Sequence, residues 1–318
     1  MKISTCRFAE IEILLPYINF QLIIIPQSMK GLKNNTLAGV FEWFCQGIAE
    51  KYEPREARAI GGVVFEEMLG FSAVDLQVNR GWRISESDIV NLYRVLKKLN
   101  NDVPLQHITG VAHFRDLVLK VNGDVLIPRP ETEELVQWIL DDIAEKGRGR
   151  SLRIWDIGTG SGAIALSLAT ELQGAEVLAS DVSEKALAIA RENSMKYITG
   201  VQFLLHDILN DAPPEGSFDI IVSNPPYVRE SEKPLIRNNV LLHDPHLALF
   251  VPDHDPLKFY RSIGETALTS LSPHGFLYLE INEALGMQTV ELLLSIGFSQ
   301  AKVKRDLFGK DRMVRAVL

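Results

Sequence analysis

The sequence is poor in cysteine. Only two of its 318 residues are cysteine, Cys6 and Cys45. This number excludes a disulfide scaffold, and two isolated thiols lack the spacing of a cysteine-based metal site. We therefore expect a reducing compartment, with a cytoplasmic location. Because 46% of the residues are hydrophobic and 23% are charged, the chain can form one large or two medium globular domains.

The chain also lacks an apolar run long enough for a membrane helix. Its most apolar segment, residues 11–26, contains Glu12 and a proline, and it is shorter than the roughly 20 residues that span a bilayer. Glu10 and Glu12 precede the apolar part and no small-residue cleavage site follows it, which disagrees with a signal peptide. We predict that residues 1–28 are a non-essential or wrongly assigned leader; a weak interfacial anchor is the alternative.

A cluster of basic residues is missing as well. The net charge is −8, and residues 29–110 contain ten Lys and Arg against ten Asp and Glu. The acidic excess therefore lies in residues 111–318, which contain 21 basic and 29 acidic side chains. A protein that grips a nucleic-acid backbone usually has a basic face. The charge distribution thus disfavours a nucleic-acid substrate.

The first half of the chain is predicted to contain a small helical domain, at residues 29–103. Apolar residues recur there at helical spacing in segments 36–52, 55–70 and 86–100. After Pro104 the pattern changes to strand-like alternation, and Asn122-Gly123 between two apolar runs predicts a hairpin turn. We expect residues 104–130 to be a β-hairpin connector.

Residues 131–318 alternate short apolar runs with helical segments. Five runs predict strands, at residues 152–158, 176–181, 201–207, 218–224 and 275–282. Fully apolar strands with helical crossovers indicate a parallel sheet that is covered on both faces. The last two strands, 300–306 and 312–318, are separated by so short a link that they must pair antiparallel.

A glycine-rich turn follows the first of these strands. Gly158, Gly160 and Ala163 satisfy the pattern G-x-G-x-x-[G/A], and Asp181 ends the next strand, where a carboxylate can bind ribose hydroxyls. The pattern predicts a nucleoside cofactor; a glycine turn without a ligand is the weaker alternative. The loop alone is compatible both with a nicotinamide cofactor, whose pyrophosphate would lie on the helix N-terminus, and with S-adenosylmethionine.

The fourth strand runs into Asn224-Pro225-Pro226-Tyr227. Proline cannot donate to a strand ladder, so the two prolines end the strand and stiffen the turn. The turn places an amide side chain and an aromatic ring at the carboxyl end of the predicted sheet, where open α/β folds bind their ligands. One ligand group that these residues would suit is a conjugated NH₂ group, which is a weak nucleophile because its lone pair is delocalised. The Asn224 side-chain oxygen and the Pro225 carbonyl could both accept from such a group and stabilise the positive charge that grows on its nitrogen. The Tyr227 ring could stack on the flat group and orient it.

Six segments together resemble the protein-(glutamine-N5) methyltransferases of the HemK/PrmC family: 104–110, 126–136, 156–166, 180–194, 223–228 and 307–314. The resemblance runs from about Asn34 to the end. It implies an α/β fold of the class I S-adenosylmethionine-dependent methyltransferases, Rossmann-like, with a C-terminal antiparallel hairpin and a small N-terminal helical domain. It also implies methylation of the glutamine in the Gly-Gly-Gln motif of class 1 peptide chain release factors.

The resemblance implies a set of site residues. Those expected to bind the substrate and to act in catalysis are Asn224, Pro225, Pro226 and Tyr227. Those expected to bind S-adenosylmethionine are Asp156, Gly158, Thr159, Gly160, Ser161, Gly162, Asp181, Asp207, Ile208 and Asn224. Ile208 replaces a tryptophan that is frequent in bacterial members, and Asp244 replaces the glutamate of a Glu-Pro pair. No metal is expected, because the histidines and acids of residues 243–254 fit no standard site.

Other functions share parts of this pattern. Adenine-N6 and guanine-N2 nucleic-acid methyltransferases also contain the NPPY sequence, and they are the main alternative. A dehydrogenase and a non-catalytic binding module are alternatives from other classes. Because residues 29–110 have no net charge, we expect the helical domain to dock a protein substrate. We expect neither stable nucleic-acid binding nor membrane binding, and we expect a monomer.

Overall fold

The computed structural model describes residues 31–145 and 151–318. The predicted leader at residues 1–28 therefore lies outside the described residues. The described chain begins with helices, continues through a small hairpin and ends in a large sheet with helices on both faces.

Between residue 31 and the first described strand lie five helices: α1 (Leu37–Ile48), α2 (Pro54–Leu69), α3 (Ala73–Val78), α4 (Glu86–Asn100) and α5 (Leu105–Thr109). Side chains cap three of them, because Thr36, Ser72 and Ser85 each accept a hydrogen bond from a backbone N–H of the first turn. Their apolar faces form a core of their own, with Phe44 and Phe65 fully buried in it. The helices α1, α2 and α4 confirm the three predicted helical segments.

The hairpin after α5 is present, but its predicted turn is wrong. Strands β1 (Val111–Phe114) and β2 (Leu117–Lys120) pair antiparallel around Arg115-Asp116. This turn places the four buried residues of the hairpin, Ala112, Phe114, Leu117 and Leu119, on one face. Asn122-Gly123 follows the hairpin and makes a separate turn, in which the N–H of Val125 donates to the Asn122 carbonyl at 3.2 Å.

The remaining elements build the α/β part. Its strands are β3 (Arg153–Ile157), β4 (Glu176–Asp181), β5 (Gln202–Leu205), β6 (Phe218–Ser223), β7 (Val228–Arg229), β8 (Phe250–Val251), β9 (Leu271–Glu280), β10 (Gln300–Arg305) and β11 (Asp311–Val317). Its helices are α6 (Pro130–Glu145), α7 (Ala163–Glu171), α8 (Glu184–Tyr197), α9 (Asn238–His243), α10 (Lys258–Ser270) and α11 (Gly286–Ile296).

Seven strands form the main sheet in the order β10-β11-β9-β6-β3-β4-β5. The pairs β9-β6, β6-β3, β3-β4 and β4-β5 are parallel, whereas β11 is antiparallel to both of its neighbours. One apolar core lies on each face of the sheet. The parallel sheet, its two helical layers and the closing antiparallel hairpin confirm the predicted fold class.

The strand order reverses at β3, which has β4 on one side and β6 on the other. At such a point the crossovers leave the sheet in opposite directions and open a crevice at the carboxyl ends of the strands. The glycine-rich loop follows β3 and Asn224 follows β6. The topology therefore brings together two motifs that lie more than fifty residues apart in the chain.

Candidate active site

A cavity of about 240 Å³ occupies this crevice. Ten of the predicted site residues line it: Gly158, Thr159, Gly160, Ser161, Asp181, Asp207, Ile208, Asn224, Pro225 and Pro226. Tyr227 lies beside Asn224 on the wall of a small adjoining pocket. Asp156 and Gly162 line neither space.

The glycine-rich loop forms one wall. Gly158 and Gly160 have φ angles of 74° and 56°, a region that glycine enters without strain. A Cβ at either position would meet no atom within 4 Å, so the backbone of the loop faces open space. The loop is fixed from behind, because the N–H groups of Gly158 and Thr159 donate to the Ser180 carbonyl at 2.8 and 2.9 Å.

Asp156 supports this loop from inside the protein. Its side chain is fully buried, and Oδ2 accepts from Thr159 Oγ1 at 2.6 Å and from the Ala165 N–H at 3.2 Å. Burial raises the pKa of Asp156 to about 7. Gly162 is equally internal, because a Cβ there would lie 3.1 Å from a Leu166 methyl carbon. Both residues shape the loop, and their contact with the cofactor stays a prediction of the resemblance.

Asp181 lies at the end of β4, where the carboxylate reaches the cavity wall. Oδ2 accepts from the Gly160 N–H and Oδ1 from the Ser183 N–H, both at 2.9 Å. Helix α8 is capped by Ser183, whose hydroxyl accepts from the Ala186 N–H. Asp181 is therefore not the cap of this helix, and its carboxylate joins the glycine loop to the start of α8. Burial raises its pKa.

The opposite wall follows β5. Asp207 accepts from the Leu209 N–H at 2.9 Å and from Asn210 Nδ2 at 2.7 Å, so its carboxylate closes a tight turn. This turn brings Ile208 onto the cavity wall beside Phe259 of α10. The wall is apolar at this point, as the replacement of an aromatic residue by isoleucine implied.

The segment after α9 forms another part of the cavity wall. Pro245, Leu247 and Ala248 line it. Asp244 is buried behind them, with Oδ1 3.8 Å from Nε2 of His107 in α5. Burial raises the pKa of Asp244 to about 6. Asp244 therefore lies where the cavity segment meets the helical part of the chain.

A hydrogen-bonded chain holds the residues after β6. Asn224 Nδ2 donates to Thr132 Oγ1 at 3.1 Å, and Thr132 Oγ1 donates to Glu280 Oε2 at 2.6 Å. The Tyr227 hydroxyl donates to the other oxygen, Glu280 Oε1, at 3.0 Å. Among the described residues, none donates to Asn224 Oδ1 or to the Pro225 carbonyl.

Thr132 and Glu280 are the functional candidates that sequence reasoning missed. Thr132 lies in the first turn of α6, inside the segment 126–136 that contributed to the family resemblance. Glu280 is the one acidic residue of β9, whose last six residues are all buried. An acid in a buried strand needs partners, and this was the available indication.

The surroundings of Glu280 act on its pKa in opposite directions, and the net shift is upward. Burial raises the pKa of this carboxyl group, and the hydrogen bonds from Thr132 and Tyr227 lower it. The positive charges of Arg129 and Arg312 lower it as well. Donors and cations both favour the ionised form. Burial also raises the pKa of the Tyr227 hydroxyl, so this tyrosine is neutral.

Residues 31–145 and 151–318 contain no group of three or more His, Cys, Asp or Glu side chains that could hold a metal ion. The same two ranges contain no helix with the length and apolar character that a membrane crossing needs. His246, in the segment after α9, contacts backbone: its Nε2 lies 2.8 Å from the Leu241 carbonyl oxygen.

The chain is similar to known proteins over most of its length. A family model described as methyltransferase small domain matches residues 135–246. The release factor glutamine methyltransferase of Flavobacterium psychrophilum is 43% identical over 272 residues, which cover 86% of this chain and 95% of that protein. The protein of the same name from Bacteroides thetaiotaomicron is 42% identical, with 85% and 96% covered. That of Lactococcus lactis is 44% identical, with 73% and 84% covered.

Proposed function

Because the chain belongs to the release factor glutamine methyltransferase family, we propose that it methylates the side-chain amide nitrogen (N5) of a release-factor glutamine, with S-adenosylmethionine as methyl donor. The glutamine is that of the Gly-Gly-Gln motif in class 1 peptide chain release factors. One observation carries the proposal: two oxygen acceptors that receive no hydrogen bond from the described residues, Asn224 Oδ1 and the Pro225 carbonyl, belong to residues that line the nucleoside cavity, and Asn224 also lines the small pocket beside Tyr227.

The residues of the large cavity fit S-adenosylmethionine better than a dinucleotide. A pyrophosphate needs free N–H groups at the loop and at the helix N-terminus. Here the N–H groups of Gly158, Thr159 and Gly160 all donate within the protein. The Asp156 carboxyl group lies at the start of α7, and Asp181 borders the cavity. With these N–H groups already engaged, the loop is poorly suited to a pyrophosphate, which argues against the dehydrogenase alternative.

We assign the cofactor contacts accordingly. Gly158 and Gly160 offer bare backbone, Asp181 can accept from ribose hydroxyls, and Ile208 supplies an apolar surface beside Asp207. When it is bound here, S-adenosylmethionine supplies an electrophilic methyl group.

The NPPY residues act on the other reactant. Asn224 Oδ1 and the Pro225 carbonyl each accept a hydrogen bond from the glutamine NH₂, which orients the amide and stabilises the positive charge that grows on its nitrogen. The rigid turn keeps both acceptors in place before the substrate arrives. Tyr227 offers a ring face to the planar amide. A neutral tyrosine is not a base. Attack of the neutral amide on the methyl group would leave a positive charge on its nitrogen, and this cationic product is acidic enough to lose a proton to water without a dedicated base.

The protein substrate needs a second contact surface, since one glutamine side chain offers too little area to select one protein. We propose that residues 29–103 dock the release factor, with 104–130 as connector and 131–318 as the methyltransferase domain. Among the described residues of the helical part, five large apolar side chains are exposed: Val63, Met68, Val74, Val78 and Trp82. A net charge of zero together with exposed apolar side chains favours a protein partner. The same charge balance supports our further proposal that the chain does not bind nucleic acid stably.

A competition assay tests the function. The protein is incubated with labelled S-adenosylmethionine, a class 1 release factor and total RNA and DNA, and the label in each polymer is counted. We expect label in the release factor, and none in a release factor whose Gly-Gly-Gln glutamine is replaced by alanine. Label in nucleic acid alone would establish the amino-methyltransferase alternative. The mass of the purified protein in solution tests the proposal of a monomer. Fractionation of cells that express the protein tests the proposal of a cytoplasmic location.

A further inference from the structure

A buried relay joins three distant parts of the chain behind the NPPY residues. Thr132, which is 4% exposed, and Glu280, which is 0% exposed, connect the first turn of α6 to the end of β9. Asn224 donates one hydrogen bond to Thr132, and Tyr227 donates one to Glu280. Nothing in the methyl-transfer chemistry described above uses the relay itself, yet it holds both side chains that the chemistry needs.

The hydrogen bonds of the relay run in one direction, because the protons available on each group decide which atom donates and which accepts. Both oxygens of Glu280 accept in this structure, Oε2 from the Thr132 hydroxyl and Oε1 from the Tyr227 hydroxyl, so the single proton of Thr132 points to Glu280. The Thr132 oxygen is then left with lone pairs alone toward Asn224. An amide can meet a lone pair only with its NH₂ end, and Nδ2 of Asn224 is the atom that faces Thr132. The Oδ1 end is thereby directed away from the relay.

We propose that Thr132 and Glu280 are positioning residues that set the orientation of the Asn224 amide, so that the enzyme offers an acceptor, not a donor, to the incoming side chain. This inference rests on the proposed function, because its consequence is a preference for a substrate side chain that ends in NH₂. With the opposite orientation, Asn224 would direct its own NH₂ at the glutamine NH₂, and two donors would face each other.

The two oxygens of Glu280 divide this task. Oε2 fixes Thr132 and through it the Asn224 amide, whereas Oε1 accepts from the Tyr227 hydroxyl and fixes the tyrosine ring. A second contact steadies the same backbone, because Asn282 Nδ2 donates to the Tyr227 carbonyl at 3.1 Å. One buried carboxylate therefore aligns an acceptor and a ring that lie three residues apart after β6.

The test compares two release factors, one with Gly-Gly-Gln and one in which this glutamine is replaced by glutamate. Glutamate has the same length but ends in acceptors only, so it measures which end of Asn224 faces the substrate. The dissociation constants of both factors are measured with the wild type and with Thr132→Val, which keeps the shape of threonine but cannot accept from Asn224. We expect the wild type to bind the glutamine factor more tightly, and Thr132→Val to reduce this preference by about tenfold.

Two further variants separate orientation from simple packing. Thr132→Ser keeps the hydroxyl and should restore the preference of the wild type. Thr289→Val is the matched control: Thr289 is also a buried helical threonine, but its hydroxyl donates to the Leu285 carbonyl within α11. It should leave the preference unchanged. Should Thr132→Val not fold, Thr132→Ala makes the same comparison, with the melting temperature and cofactor affinity as controls for folding.

The outcomes are distinct. A preference that is unchanged in Thr132→Val or Thr132→Ala, or one that falls equally in Thr289→Val, overturns the positioning role. A wild type that binds neither factor, while it transfers methyl groups to nucleic acid, refutes the proposed function itself. A reduced preference in Thr132→Val with recovery in Thr132→Ser supports the orientation relay.

Discussion

The two sides of the active site are built in different ways. The glycine loop of the cofactor wall is held mainly by nearby residues: Asp156, Thr159 and Ala165 lie within ten residues of chain, and the other anchors, Ser180 and Asp181, end the very next strand. The wall that meets the methyl acceptor is assembled over long distances, because Asn224 is bonded to Thr132, 92 residues away, and Thr132 to Glu280, 148 residues away. A local wall can be recognised from a short motif, whereas a wall of long-range contacts needs the whole fold to be in place.

The first prediction concerns the acceptor wall alone and has the largest expected effect. Asn224→Ala removes one preorganised acceptor, so methyl transfer to the release factor should fall about a hundredfold or more. The dissociation constant of S-adenosylmethionine, measured by calorimetry, should change little, because the glycine loop and Asp181 remain. If the variant loses cofactor binding while its cofactor-bound fraction turns over at the normal rate, the division between the two walls is wrong.

The second prediction concerns the cofactor wall. Asp181→Ala should weaken S-adenosylmethionine binding by about 2 kcal/mol, or roughly thirtyfold, since a charge-assisted contact to ribose hydroxyls is lost. The variant also loses the acceptor for the Gly160 N–H. Once the cofactor is saturating, turnover should approach that of the wild type. An unchanged dissociation constant together with a lower melting temperature would assign Asp181 a structural role only.

The third prediction follows from the buried Asp156, whose pKa is raised to about 7 by burial. Between pH 5 and 6 the folded protein keeps this proton and the unfolded chain has lost it, so the free energy of unfolding decreases as the pH rises. For this one group the slope is about 1 kcal/mol per pH unit. Urea unfolding at both pH values should show this decrease in the wild type relative to Asp156→Asn. Equal slopes in the two proteins would contradict the raised pKa.

The smallest effect is expected for Tyr227→Phe. The variant keeps the ring and loses only the hydrogen bond to Glu280, which is worth about 1 kcal/mol. Turnover should therefore fall only about fivefold, whereas Tyr227→Ala, which also removes the ring, should lose considerably more. Similar losses in both variants would show that the hydroxyl, not the ring, is the functional part of Tyr227.

The success of the sequence-based predictions follows the same division between local and long-range contacts. Helix α4 begins at Glu86 as predicted, because Ser85 caps it and Asp88 follows within one turn. The glycine loop, the parallel strands and the C-terminal hairpin were equally accessible, since each depends on neighbouring residues. The short helices α3 and α5, of six and five residues, offer too few turns for a periodic pattern to reveal them.

The features that the sequence alone did not reveal depend on contacts between distant parts of the chain. Asn122-Gly123 is a favourable hairpin turn on local grounds, but the buried face of β1 and β2 fixes the turn at Arg115-Asp116. Asp156 belongs to the glycine motif, and only the fold shows that it points behind the loop. Thr132 and Glu280 share no local sequence pattern. The hydrogen bond between them, and the one from Asn224 to Thr132, became visible only in the fold, where β6 and β9 are adjacent.

The most direct test of the account is to locate the transferred methyl group at the level of one atom. A class 1 release factor is incubated with the protein and S-adenosylmethionine, and the peptide that contains Gly-Gly-Gln is sequenced by tandem mass spectrometry. We predict a single added methyl group on the side-chain nitrogen of that glutamine and, at the same early time, at least about a hundredfold less of this methylated peptide with Asn224→Ala. A methyl group on another residue, or an equally methylated glutamine with Asn224→Ala, would contradict the assignment of Asn224 as the acceptor that selects an amide nitrogen.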